Sequence, residues 1–182
     1  PDYSSAASDV YKRQGQKCSA MSRAYLPSSI WNELKSKYLS ELKSVKVGPP
    51  EDFSNFMNAV IDKKAFKSIT QYIQFAEKSN DAEIISGGTY DDTTGYFISP
   101  TTILTTNPNF KTLEEEIFGP VLTIYIYDPS DWYEVLKLID NTSPYALTGC
   151  VMGKNREAIK EATDHLTHSA GNFYINDKPT GA

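Results

Sequence analysis

Apolar side chains recur at three- and four-residue spacings from Pro27 to about Val45: Ile30, Trp31, Leu34, Tyr38, Leu42 and Val45, with lysines between them. That period sets them on one face of a helix. The paired prolines of "KVGPPEDF" end it, because neither can supply the backbone N–H that a helix interior needs. A second helical period covers roughly residues 58–79, with Ile61, Ala65, Ile69, Tyr72, Ile73 and Ala76 sharing a face.

Beyond residue 80 the pattern changes to short extended runs. "AEIISGG" reads as a buried strand closed by a Gly-Gly turn, and "GYFISPTTIL" as extended chain, since the residue before proline avoids the helical region. "VLTIYIYD", from Val121, is β-branched, aromatic and apolar throughout, which predicts a strand covered on both faces. "SDWYEVLKLIDN" follows as a helix, with Ser130 or Asp131 as its N-cap and Trp132, Val135, Leu136 and Ile139 on one face. "ALTGCVMG" is a further buried strand, "NREAIKEATDHLTH" a further helix and "GNFYIN" a last strand. This strand–helix alternation predicts an α/β fold, a mostly parallel sheet flanked by helices. Residues 1–14 carry almost no large aliphatics and no usable period, so they are expected to be a disordered or non-native leader.

Composition narrows the function classes. The 182 residues suffice for one sizeable domain, and 40% apolar with 23% charged residues is ordinary for a globular protein. A formal charge of −5 argues against nucleic acid as a partner. No apolar run reaches the roughly 18 residues that span a bilayer, so no membrane partner is expected. Cys18 and Cys150 are too few and too isolated for a disulfide framework or a zinc site. No targeting segment is visible at the start of the chain.

Three places invite chemistry. In "GQKCSA", Cys18 follows a glycine that permits close backbone approach and precedes the small residues Ser19 and Ala20. A buried structural cysteine is the commoner fate of a lone Cys. A helix starting nearby would instead favour the thiolate and make Cys18 a nucleophile. In "LEEEIFGPVLTIYIY", Glu114 and Glu115 read as a solvated face. Glu116 stands two residues before Phe118, and in extended chain the two project to the same side. A carboxylate beside an aromatic ring suits ribose hydroxyls and a flat heterocycle, although both residues also have ordinary structural uses. His165 and His168, three apart on the last helix, lack further ligands and read as surface residues, so no metal site is expected. The "SGG" ending at Gly88 lacks the spacing of a phosphate loop and reads as a turn.

Taken together, "GQKC" and "EIFGPV", in that order and about a hundred residues apart, resemble the two signatures of the aldehyde dehydrogenase superfamily. "KVGPPEDF" is similar to a Val-Gly-Asp-Pro segment of that family, with Pro49 where an aspartate is usual. "GQKCSAMSRAYLP", "FMNAVIDKKAFKSI", "GYFISPT", "EEEIFGPVLTIYIY" and "AGNFYINDKPTGA" resemble the branch that oxidises L-glutamate γ-semialdehyde to glutamate. The resemblance covers residues 15–182 and implies a partial catalytic domain.

It implies that Cys18 attacks the aldehyde, that Glu116 and Phe118 hold the cofactor NAD, and that Ser19 donates to the substrate's α-carboxylate, small packing residue being the other reading of that serine. It implies also a homo-oligomeric parent enzyme of the mitochondrial matrix. The family's dinucleotide-binding domain, general-base glutamate and oxyanion asparagine precede its cysteine, and its substrate-anchoring loop follows "INDKPTGA". These 182 residues are therefore expected to be an inactive fragment. A different aldehyde substrate and a non-catalytic module are the alternatives.

Overall fold

The structure of the chain, a computed structural model, describes residues 14–178. The expected leader thus lies almost wholly outside the described residues. Gln14, its last residue, is buried, and its side-chain amide donates to the Ala59 carbonyl at 3.3 Å.

Strand β1 (Arg23–Pro27) leads directly into helix α1 (Ser28–Lys43), and helix α2 (Lys63–Lys78) follows a long loop. Asp62 caps α2, its carboxylate accepting from the Ala65 backbone N–H at 2.7 Å. That cap explains why α2 begins at Lys63 and not near residue 58, and why Ile61 stays outside the helix and exposed. Strands β2 (Ala82–Ser86), β3 (Tyr90–Asp91), β4 (Phe97–Ile98) and β5 (Thr101–Thr105) come next, then the single-turn helix α3 (Lys111–Glu114) and strand β6 (Val121–Tyr127). A 3-10 turn (Pro129–Asp131), helix α4 (Trp132–Asn141), strand β7 (Thr148–Val151), helix α5 (Arg156–His165) and strand β8 (Asn172–Ile175) complete the order. Asp131 is the N-cap residue of α4, as expected, but its side chain makes no capping hydrogen bond. Asp128 accepts from the Ser130 backbone N–H and starts the 3-10 turn that feeds the helix.

Among the described residues the main sheet has four strands in the order β1-β6-β5-β2. β1, β6 and β5 run parallel and β2 is antiparallel at the edge, so the sheet is mostly parallel as expected. Alternation along β5 shows helices on both faces. Thr102 points to α1, its hydroxyl 2.7 Å from that of Tyr38, while Ile103 points into the core formed by Phe66, Ile69 and Ile73 of α2. β6 is accordingly buried on both faces, at Val121 and Thr123 on one and Ile124 on the other. Gly87 and Gly88 both take positive φ, as the turn after β2 requires.

One expectation is corrected. Among the described residues β6, β7 and β8 do not form a continuous sheet: β7 and β8 pair there only with each other, in parallel, beside a second small core of Leu136, Ala162 and Leu166. The reason is β1, a strand with no clear mark in the sequence. Its residues Arg23 to Pro27 pair with Thr123 to Tyr127 and take the side of β6 that β7 would need.

Candidate active site

The site is built from two loops that enter neighbouring strands. Cys18 precedes β1 by as many residues as Glu116 precedes β6, and those strands are parallel neighbours. Both loops therefore arrive at the same edge of the sheet. Gly15 locks them together. Its φ is +70°, and a Cβ there would lie 2.4 Å from the Gly119 carbonyl oxygen, an approach only glycine permits. "GQKC" and "IFGP" are thus in backbone contact, although a hundred residues separate them.

Further bonds fix the Cys18 loop. The Gln16 side-chain oxygen accepts from the Ile61 backbone N–H at 2.9 Å. The Arg23 guanidinium donates to the Leu113 carbonyl at 3.1 Å and to the Tyr145 carbonyl at 3.0 Å, tying three segments to one corner. Thr148, at the start of β7, donates to the Ser19 carbonyl at 3.4 Å, so the second sheet also reaches this corner. Gln16 enters the sequence only as part of "GQKC", and the only local signal at Arg23 is a polar, long-armed side chain close to a candidate nucleophile.

Cys18 itself is exposed, in a turn where the Ala20 N–H donates to the Lys17 carbonyl at 2.9 Å. Among the described residues nothing buries it. Helix α1 begins at the far end of β1, about 16 Å along the sheet at ordinary strand rise, whereas α2 begins at Lys63, two residues past the Ile61 that Gln16 contacts. Ser19 is 1% exposed, and its hydroxyl accepts from the Lys17 ammonium at 2.9 Å.

Glu116 and Phe118 are both exposed, on the loop that leads into β6. The expected extended geometry is corrected at Phe118, whose φ of +56° is left-handed. Period-two alternation therefore does not govern how the two side chains lie. Ile117 between them is buried in the main core and anchors the loop. Glu115 also departs from a merely solvated residue, since its carboxylate accepts from the Tyr72 hydroxyl at 2.5 Å.

The remaining candidates lie elsewhere. Cys150 is half-buried in β7, and burial pushes its thiol above the ordinary cysteine range. His165 ends α5 with its ring 6.2 Å from that of Tyr133, and His168 lies past the helix, not on it. Among the described residues no three His, Cys, Asp or Glu side chains are grouped to hold a metal ion. Among them, too, no helix is long and apolar enough to cross a membrane.

Comparison with known proteins identifies the family. The chain is 54% identical over 173 residues to a mitochondrial delta-1-pyrroline-5-carboxylate dehydrogenase of Dictyostelium discoideum, and 44% identical over 174 residues to the human protein of that name. Each alignment covers 95% of this chain and 31% of the relative, so the chain spans about a third of their length. The crystal structure of the Mycobacterium tuberculosis delta-pyrroline-5-carboxylate dehydrogenase bound with NAD superposes with a TM-score of 0.86 at 40% identity, covering 96% of this chain and 31% of that one. Residues 3–182 match the aldehyde dehydrogenase family, and the chain belongs to that family.

Proposed function

We propose that this chain is part of the catalytic half of an NAD-dependent dehydrogenase that oxidises L-glutamate γ-semialdehyde to glutamate. The observation that carries the reading is the Gly15–Gly119 contact, which sets an exposed thiol loop against an exposed carboxylate–aromatic loop. The names of the most similar relatives supply the substrate.

In this reading the Cys18 thiolate adds to the aldehyde carbon, and the carbonyl oxygen takes up the negative charge of a thiohemiacetal. The Cys18 backbone N–H helps to bear that charge. NAD, when bound, accepts the hydride that leaves this carbon, and a thioester on Cys18 remains. Water then adds to the thioester, releasing the carboxylate and returning the thiol. Activation of that water falls, by the family resemblance, to a glutamate outside these 182 residues.

The residues present fit the cofactor. Glu116 offers a solvent-facing carboxylate for two ribose hydroxyls, and the Phe118 ring stands out from its turn, 41% exposed, as a flat apolar surface. Ser19 is the candidate donor to the substrate's α-carboxylate, a role that requires its hydroxyl to face the substrate beside the Lys17 contact. The mitochondrial matrix, a homo-oligomeric parent, and residues 1–14 as a leader outside the partial catalytic domain at 15–182 complete the proposal.

The test is made at Cys18. In the longer enzyme carrying this segment, Cys18→Ala is expected to abolish aldehyde oxidation, a loss of at least about a thousandfold, with NAD affinity kept within a few-fold. An aldehyde-mimicking alkylating reagent is expected to label Cys18 and spare Cys150, whose thiol is half-buried and harder to ionise. Labelling confined to Cys150, or full activity in the Cys18 variant, overturns the reading. The 182-residue chain alone is expected to give no NAD reduction.

A further inference from the structure

Helix α2 grips the loop that carries Glu116 and Phe118 at both of its ends. Ile69 lies against Gly119, where an added Cβ would come 2.5 Å from the Ile69 Cδ1. Three residues on, and so on the same helix face, the Tyr72 hydroxyl donates to Glu115 Oε2 at 2.5 Å. Glu116, Ile117 and Phe118 are held between these two contacts. Lys111 braces the outer one, with its ammonium 5.2 Å from the centre of the Tyr72 ring and 3.9 Å from the Glu115 carboxylate.

The tether has a directional consequence. Glu115 has extended backbone, with φ −92° and ψ 146°, and along extended chain successive side chains project to opposite sides. Drawing Glu115 onto α2 therefore sends Glu116 away from the helix, toward solvent. Three consecutive glutamates are otherwise equivalent in charge and reach, and Tyr72 is what selects between the last two.

We propose that Tyr72 is a positioning residue for cofactor binding, acting through Glu115 to aim the Glu116 carboxylate and hold the Phe118 turn. This rests on the reading of Glu116 as the ribose-binding carboxylate. The bond to Glu115 pushes the Tyr72 phenol up to about 12, so it remains a proton donor throughout neutral and mildly alkaline conditions.

The experiment compares Tyr72→Phe, Glu115→Ala and their double variant with Glu116→Gln, all in the longer enzyme. KM for NAD, kcat, the rate of Cys18 alkylation and the melting temperature are measured for each. Tyr72→Phe keeps the ring beneath Lys111 and removes only the hydroxyl. It is expected to raise the KM for NAD about three- to tenfold, with kcat within twofold and alkylation unchanged. The double variant is expected to be no worse than either single one, because both remove the same bond.

A raised KM in Glu116→Gln with none in Tyr72→Phe overturns the proposal and leaves the Glu116 reading intact. An unmoved KM in Glu116→Gln ends that reading, and the proposal with it. A lower melting temperature and kcat in Tyr72→Phe, at unchanged KM, shows a merely structural residue and overturns the proposal as well.

Discussion

Phe118 and Gly15 both hold left-handed backbone, for different reasons. For Phe118 the conformation costs on the order of 1 kcal/mol, and the ring it presents is exposed, so the strain is not offset by burial of that side chain. Gly15 is there because any Cβ would collide with a backbone carbonyl that cannot swing aside. Gly15→Ala is expected to cost about 2–4 kcal/mol, from the left-handed φ and the overlap with Gly119 together. Urea unfolding measures it, and a cost below about 0.5 kcal/mol contradicts the close approach. The same change is expected to part the Cys18 and Glu116 loops, so in the longer enzyme activity falls further than stability explains.

At the scale of elements, periodicity located α1, α2, α4 and α5 because each has an apolar face that the fold buries at least in part. It located β6 because all of its residues except Thr123 are apolar aliphatic or aromatic, as burial on both faces favours. It missed β1, where "RAYLP" starts with a charge, ends with proline and alternates too briefly to register. The boundary of α2 shows the same limit. An apolar period ran through Ile61, yet the helix starts where Asp62 supplies an acceptor for its first free N–H groups. Asp62→Ala is expected to destabilise the chain by about 1 kcal/mol and to fray the first turn of α2. Amide hydrogen exchange at residues 63–66 is the check, and unchanged protection there removes the cap from the account.

For the whole molecule, two cores divide the labour. The larger one joins α2 to the main sheet, and the smaller one joins α4 and α5 to the β7–β8 pair. Three tyrosines packed within the fold, Tyr25, Tyr38 and Tyr127, have their phenol pKa values raised, burial being the largest cause in each. Folded chains then hold protons that unfolded chains release near pH 10, so stability falls as pH rises from about 10 through the higher folded values. The free energy of unfolding is expected to begin falling near about pH 8.5, where the unfolded chain's Cys150 ionises first, and to decline further above about 10. Tyr127→Phe, which removes one titrating phenol, is expected to make that decline shallower. A stability that stays level to pH 11.5 contradicts the burial of these phenols.

Much was settled by sequence alone. The α/β class, the helices and the doubly buried strand follow from periods and short motifs, because those patterns are local. Only tertiary structure decided which strand borders β6, and hence that β7 and β8 stand apart. It decided also that Gly15 meets Gly119, that the aromatic turn is left-handed, and that Glu115 is bound to Tyr72. Each of these depends on residues far apart in the chain competing for one edge, one cavity or one hydrogen bond. No window along the sequence contains both competitors.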